Sequence, residues 1–416
     1  MSTADHELLK LVTDCYLKSR DFNGYYLGGD IDTVVLGRAK QLVRDGIIQV
    51  VDEQDYMNPH IRPWPSRRTI EEQVESLDAL PGAKFGLCLY PTPQALSGVR
   101  VPKRLKDQPF SIAMAKGRGT LEPAYFSFDV LEQYRNDPRY HFSFGDFGVT
   151  MSISDEAYLD ENELERDKVS LSHIGFAYDL GKYDANDPNS PIIRRVAAFY
   201  GDLRELTPEH QQRWKTYQVD DDGLRPHPAW WISQMGQWPD GVGPFSKLFI
   251  ELGNINELWS RAFGEALFTH TTRPDDFGWI LRASQREWDE FVLQLNKLVA
   301  DNIRPRALDA ASASKTNPEG KPLGPLSRLA QFMLDRKIPQ EVVNDVLRPF
   351  NLIRESRQKP AHAIRANVTD QTYVHRQVSL LGDVNNSLTN IRRWLISHPK
   401  NQGWKPKHDT DEGYRM

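Results

Sequence analysis

The chain has 416 residues, of which 39% are hydrophobic and 10% aromatic, and its formal net charge is -5. A chain of this length exceeds one ordinary domain, and its apolar content is enough for packed cores, which excludes a disordered protein. No apolar run is long enough to span a membrane, and the N-terminus lacks the basic-then-apolar order of a secretory signal. We therefore expect a cytoplasmic protein of two or three domains that has no membrane partner.

The two cysteines, Cys15 and Cys88, lie far apart and belong to no CxxC motif or Cys/His cluster. This usage fits a reducing compartment and argues against structural zinc, and both thiols are expected to be buried small hydrophobes. Two acidic runs, at 155–167 and 220–222, are interpreted as solvated surface, with a metal site as the weaker alternative. The sequence predicts no metal site and no cofactor.

Residues 1–79 show the pattern of a winged helix. Apolar residues at helical spacing predict two helices, a strand follows at 47–51, and a polar turn leads to an extended return at 58–61. Winged helices bind DNA or serve as protein-binding modules, and this segment has no densely basic helix to enter a major groove.

Residues 80–240 are predicted to form a mixed α/β domain that senses a partner or ligand. A short helix at 69–78 precedes it, and its strand-like segments lie at 85–90, 111–115, 125–128, 140–144 and 148–153. The paired glycines of 116–119 resemble a phosphate cradle, although a plain turn is the simpler interpretation. Residues 135–141 are assigned to structure or to the rim of a ligand pocket.

Residues 241–400 are predicted to form an all-helical bundle, and 401–416 a polar tail. Ser284, with Glu287 three positions on, predicts a capping box at the start of one helix. Residues 303–325 are predicted to be a loop, and the helical patterns cover 245–268, 288–299, 326–333, 342–353 and 374–395. The predicted fold class is therefore α+β and multidomain, with a winged-helix-like segment, a β-containing middle domain and a C-terminal helical bundle.

The segment from Arg348 to His398 is locally basic, with eight Lys and Arg residues against three acids. Within it, four residues separate Arg357 from His362. An arginine can neutralise the charge that builds on a scissile phosphate, and a histidine with a pKa of about 6.5 can transfer a proton at cellular pH. The pair predicts RNA cleavage without a metal, and two solvated side chains are the alternative.

The position of Arg357 on its helix makes a further prediction. A step of four residues along the apolar stripe of 343–353 leads to Arg357, so its guanidinium must meet an acid or face a cleft. Pro360 predicts a kink or a helix restart between Arg357 and His362. The same loose Arg/His spacing recurs at 135–141, 204–210 and 392–398, so several of these matches arise by chance.

The motif and the four-helix layout of 244–398 resemble the HEPN superfamily (higher eukaryotes and prokaryotes nucleotide-binding), whose signature is Arg, four to six residues, His. The resemblance covers the last third of the chain, and Gln358 supplies the polar residue that often follows the Arg. By that resemblance, Arg357 and His362 correspond to the catalytic pair of metal-independent endoribonucleases, which dimerise so that two motifs face one cleft. Some members of the superfamily bind without cutting.

The resemblance implies transesterification by the 2'-hydroxyl of the RNA, which leaves a 2',3'-cyclic phosphate. His362 would be the general acid or base, Arg357 would stabilise the developing charge, and Arg354, Gln358 and Lys359 would hold substrate phosphate. It further implies a homodimer of the kind found in toxin and anti-phage systems. An activating protein or ligand is expected to act on residues 1–240.

Two other functions stay open. The first is a non-catalytic regulator that binds DNA or a protein through the winged helix and dimerises through the helical domain. The second is an enzyme that acts on a nucleotide-like ligand in the middle domain. Only residues 116–119 and 135–141 support this second function.

Overall fold

The computed structural model describes residues 3–19, 22–179, 181, 187, 192–220, 222–237, 241–361, 366–408 and 410, with the backbone alone at 3 and 358–361. The chain divides into two compact units. The first comprises residues 1–141, 151–174 and 196–221, and the second comprises 142–150, 175–195 and 222–416. Each unit is thus assembled from separate stretches, unlike the consecutive domains that the sequence suggested.

The first unit begins with alternating helices and strands: α1 (Thr3–Lys18), β1 (Tyr25–Leu27), α2 (Thr33–Arg44), β2 (Ile48–Val51), α3 (Ile70–Ala79) and β3 (Leu87–Pro91). Antiparallel pairing gives a sheet in the order β1-β3-β2. Its core is aliphatic, with Val12, Ala39, Leu42, Val50, Leu77 and Leu89 fully buried. The predicted helices at α1, α2 and α3 and the strand β2 are confirmed.

The returning strand is not where the sequence placed it. Residues 58–61 form a turn, whereas the strand that pairs with β2 is β3, which follows the additional helix α3. Because β3 lies between β1 and β2, the sheet needs residues from both sides of the predicted boundary at 79.

A second sheet forms from the middle of the chain. The elements are α4 (Pro93–Ser97), α5 (Pro109–Ala115), β4 (Pro123–Phe126), α6 (Asp129–Arg135), β5 (Tyr140–Phe144), β6 (Gly148–Ile153), α7 (Asp155–Leu159), β7 (Ser170–Asp179), β8 (Ile193–Phe199), α8 (Tyr200–Leu203), α9 (Pro208–Thr216), β9 (Gln218–Val219) and β10 (Leu224–Pro226). The strand order is β5-β6-β7-β8-β4-β9, and β10 pairs with β7. In this sheet β4 pairs antiparallel with β8, and β10 pairs antiparallel with β7.

The predicted strand at 111–115 is wrong, because these residues form the helix α5. The reason is a tertiary contact at the start of the helix. The Oε1 atom of the buried Gln211 accepts from the backbone N–H groups of Phe110 and Ser111, at 3.2 and 3.3 Å. Those two donors would otherwise be left without a partner at a helix N-terminus.

The second unit is mainly helical, with α10 (Pro228–Gln234), α11 (Pro244–Phe263), α12 (Gln285–Leu298), α13 (Pro305–Ala310), α14 (Pro325–Asp335), α15 (Gln340–Ala361) and α16 (Thr372–Ile396). Helix α16 packs against α11 and α15, and α15 also packs against α12 and α14. The predicted loop at 303–325 contains α13, which starts with Pro305 at a position where a missing N–H costs nothing. The fold is therefore mixed α/β with antiparallel sheets and a C-terminal helical region.

The predicted capping box at α12 forms only in part. The Ser284 hydroxyl accepts from the N–H of Glu287, at 3.4 Å. The Glu287 carboxylate instead accepts from the N–H groups of Leu281 and Arg282, and the N–H of Ser284 donates to the Arg282 carbonyl. Within the described part of the chain, none of the helices combines the length and apolarity that crossing a bilayer requires.

Candidate functional site

Arg357 lies near the carboxyl end of α15, where its side chain is 43% exposed. Its Nη1 donates to Oδ2 of Asp301 at 2.5 Å. The same Asp301 oxygen accepts from Nδ2 of Asn296 at 2.7 Å, and Asn296 is fully buried on α12. The guanidinium is therefore positioned by a chain of polar contacts that starts in the core. Of the two predicted outcomes, an acid or a cleft, Arg357 meets an acid, but it does so at the surface and not on the buried face that the step of four indicated.

The helix that carries Arg357 follows the predicted stripe. Val343, Val346, Phe350 and Ile353 are all buried, and the next position on this face lies beyond the core. Arg354 is exposed and, three residues before Arg357, is its neighbour on the helix surface. The two cations thus present positive charge to solvent on one side of α15.

Helix α15 continues through Pro360 to Ala361, so the helix does not restart between Arg357 and residue 361, and the predicted kink stays a prediction. The backbone of Gln358 and Lys359 is helical, and their side chains lie outside the description. His362 also lies outside the described residues. Its role as acid or base stays a prediction from the sequence.

The ion pair of Arg357 with Asp301 is exposed on both sides, since the Asp301 side chain is 50% accessible. Exposed pairs contribute about 0–1 kcal/mol, because water and salt screen them. A phosphate group can therefore displace Asp301 from the guanidinium at little cost. The arrangement orients Arg357 and leaves it accessible to an anion.

The Arg/His match at 392–398 is structural. Arg392 is buried and its Nε donates to Oε2 of Glu251 on α11 at 2.8 Å. His398 accepts from the N–H of Lys400 and packs edge-on against the Phe263 ring, with centroids 5.2 Å apart. These contacts join α16 to α11 and to the turn that follows it.

The match at 204–210 is also structural. His210 is fully buried, with Nδ1 2.7 Å from the Tyr134 hydroxyl and Nε2 3.5 Å from Asp167. Burial and the nearby Arg213 hold the pKa of His210 below its usual value. Arg204 contacts Glu205 through its Nε. The imidazole is sealed among its partners and does not face substrate.

Residues 135–141 border a polar cavity of about 580 Å³ in the first unit. Three arginines and three acids contribute to its lining, which consists of Gln133, Asp137, Arg139, Tyr140, Arg166, Asp167, Glu209 and Arg213. Arg139 is engaged by Asp137, Glu163 and Asp167. Residues 135–141 therefore have a structural role, which was the first of the two interpretations. They also border a cavity, as the second interpretation stated.

The glycine pair at 116–119 forms a turn with Gly117 at a φ of +105°. The N–H of Gly119 donates to the Glu122 carboxylate at 2.9 Å, and Arg118 pairs with the same carboxylate. A phosphate cradle requires N–H groups that point at an empty site. Here the N–H of Gly119 already donates to the Glu122 carboxylate and is not free for a phosphate. The prediction of a plain turn is therefore confirmed.

A second cavity, which sequence reasoning did not find, lies in the second unit and has a volume of about 210 Å³. His227 lines it, stacks on Phe147 with centroids 5.8 Å apart, and accepts at Nδ1 from the N–H of Ala229. Burial lowers the pKa of His227 to about 4. The imidazole is therefore neutral at pH 7.

His227 makes stability depend on pH. Because its pKa is about 4 when folded and about 6.5 when unfolded, the unfolded chain binds the extra proton first as pH falls. The contribution of His227 to stability is complete above about pH 6.5 and is lost as pH falls towards 4. The loss amounts to about 2 kcal/mol between pH 7.5 and 5. Urea unfolding of the second unit, followed through the protection of its backbone amides at both pH values, should show a smaller difference in stability for His227→Gln than for the wild type. The exposed His270→Gln variant should keep the full difference, and identical behaviour of the two variants would contradict the assignment.

Among the residues for which positions are given, no cluster of His, Cys, Asp and Glu side chains is arranged to hold a metal ion. Comparison with known proteins found no matching family model, no similar curated protein and no similar solved structure.

Proposed function

We propose that the chain is a metal-independent endoribonuclease of HEPN type, with its catalytic centre at the carboxyl end of α15. The observation that carries the proposal is the exposed Arg357 guanidinium, oriented by Asp301 and placed five positions before His362. An oriented, accessible cation can stabilise the charge that develops in phosphodiester transesterification, and an imidazole nearby in the sequence can transfer the protons.

In the proposed reaction, a neutral His362 imidazole takes the proton of the 2'-hydroxyl as its oxygen attacks phosphorus. The bond from phosphorus to the 5'-oxygen breaks, and that oxygen receives a proton from a protonated imidazole. Arg357 offsets the negative charge that accumulates on the non-bridging oxygens. The products are a 2',3'-cyclic phosphate and a 5'-hydroxyl, and a homodimer would supply the second imidazole.

The surrounding residues have supporting roles in this proposal. Arg354 binds the phosphate backbone beside Arg357, and Gln358 and Lys359 add donors on the last turn of α15. Residues 1–240 respond to an activating protein or ligand, as expected of a cytoplasmic toxin or anti-phage effector. The packing of α11, α12, α15 and α16 supports a HEPN-like bundle as the finer description of the helical region.

A non-catalytic regulator is the second candidate, and one observation favours it. Helix α2 carries Arg38, Lys40 and Arg44 and contains no acid. With the sheet order β1-β3-β2, this supports a winged-helix-like segment that contacts duplex DNA or an acidic protein. Lys40 is already paired with Asp78, which reduces the charge available to a partner.

Incubation of the purified chain with single-stranded RNA in EDTA tests the proposal. We expect fragments that end in 2',3'-cyclic phosphate, detected by mass spectrometry, because no step needs a metal. Loss of cleavage in EDTA with full activity in magnesium would contradict the mechanism. Intact RNA under both conditions, together with salt-sensitive binding of duplex DNA, would favour the regulator.

Asp301→Asn is expected to tighten RNA binding by about two- to fivefold, because phosphate no longer competes with a carboxylate for Arg357. Fluorescence anisotropy in a His362→Ala background measures binding without cleavage. Asp383→Asn on α16 is the matched control, since it removes an equal charge from an exposed site. Equal effects of the two variants would mean that Asp301 acts only through net charge.

A further inference from the structure

The cavity of about 210 Å³ in the second unit has an aromatic wall. Phe147, Tyr178, His227 and Trp279 contribute to its lining. His227 lies nearly parallel to Phe147, with an interplanar angle of 21°, and its centroid is 5.9 Å from that of Tyr178. This aromatic wall favours the binding of a flat ring, because aromatic rings attract one another when they lie offset-stacked or edge to face.

One cation lines the same cavity. Lys247, on the first turn of α11, has no ion-pair partner among the residues with described side chains. The carboxylate of Asp146, which also lines the cavity, accepts from the N–H groups of Phe245 and Ser246 and from the Ser246 hydroxyl. The Asp146 charge is thus engaged at the positive end of α11, whereas the Lys247 ammonium can accept an external anion.

The third feature is a buried amide on α16. Asn385 lines the cavity, is 4% exposed, and uses its Nδ2 to donate to the Pro244 carbonyl at 2.8 Å. Its Oδ1 has no hydrogen-bond partner in the described part of the structure. A buried acceptor without a donor costs free energy, and a ligand N–H is the group that would remove this cost.

We propose that this cavity binds a small aromatic nitrogen heterocycle that carries one anionic group. The ring stacks on the aromatic wall, its N–H donates to Asn385, and its anion pairs with Lys247. A volume of about 210 Å³ is smaller than the ~300–1,000 Å³ of pockets for drug-sized molecules, which limits the ligand to one or two rings. The site is assigned independently of RNA cleavage, and none of its residues belongs to the proposed catalytic centre.

Isothermal titration calorimetry with two acids and their neutral counterparts tests the proposal. Indole-3-acetate and orotate represent two sources of the chemistry, and indole and uracil lack the anion. We expect at least one acid to bind about tenfold more tightly than its neutral counterpart, because a hydrogen bond between an ammonium and a carboxylate is stronger than one between neutral groups. No binding of either acid at millimolar concentration would overturn the proposal.

Variants of the lining residues add a second criterion. Lys247→Ala should remove the preference for the acid over its neutral counterpart. Asn385→Ala should weaken the binding of the acid and of the neutral ring to the same extent. Lys297→Ala on α12 and Asn390→Ala on α16 are the matched controls, because both residues are exposed outside the cavity. Binding that is unchanged in Lys247→Ala and Asn385→Ala, or equally reduced in the controls, would overturn the assignment. Each outcome can be read whether or not the chain cleaves RNA.

Discussion

Replacement of Arg357 by Ala is expected to lower the rate of RNA cleavage by about a hundredfold or more. In the proposed mechanism the guanidinium faces charge that exists only as the phosphorane-like state forms, and loss of one such donor costs about 10²–10³ in rate. His362→Ala should have an effect of about 10²–10⁴, because it removes proton transfer. Single-turnover cleavage of a labelled RNA in EDTA measures both variants.

Arg348→Ala is the matched control, since this arginine is exposed on the same helix and lies outside the motif. Arg357→Lys separates charge from shape, because an ammonium retains the charge but lacks the planar fork that grips two phosphate oxygens. Circular dichroism and the oligomeric state should match the wild type in every variant. Wild-type cleavage rates in both Arg357→Ala and His362→Ala would end the proposal.

Arg392→Met is expected to destabilise the second unit by about 3–5 kcal/mol. The side chains of Arg392 and Glu251 are 5% and 0% exposed, and their atoms are 2.8 Å apart. Loss of one partner leaves the other charge buried without compensation, which is among the largest single-residue effects known. The hydroxyls of Thr389 and Thr410 still donate to Glu251 in this variant, but neither carries a charge that offsets the carboxylate.

Hydrogen exchange of the α11 and α16 amides measures this effect where it acts, because a chain of two units is not expected to unfold in one step. The adjacent exposed Arg393→Met is the control and should change stability by less than about 1 kcal/mol. Glu251→Leu with Arg392→Met should recover part of the loss, since no unpaired charge remains. A double variant less stable than the single one would contradict this account.

Several helices were predictable because their information is local. The apolar residues of α2, α11 and α16 recur with the helical period, and the cap at Ser284 lies within three residues of its donor. The need of Arg357 for an acid also followed from the periodicity of one helix, although the step of four placed this side chain on the buried face and the structure places it on the surface. The sequence therefore determined these elements, whereas the exposure of Arg357 depended on where the core ends.

Contacts across long stretches of chain were decided only by the tertiary structure. The helix α5 depends on Gln211, about a hundred residues away, and no local pattern could reveal that cap. Likewise, the choice of Asp301 as partner for Arg357 depends on how α12 packs against α15. The cavity at Lys247 and Asn385 combines residues from both ends of the second unit. The physical reason is that periodicity reports which face of an element is buried, whereas its neighbours are set by the packing of all elements together.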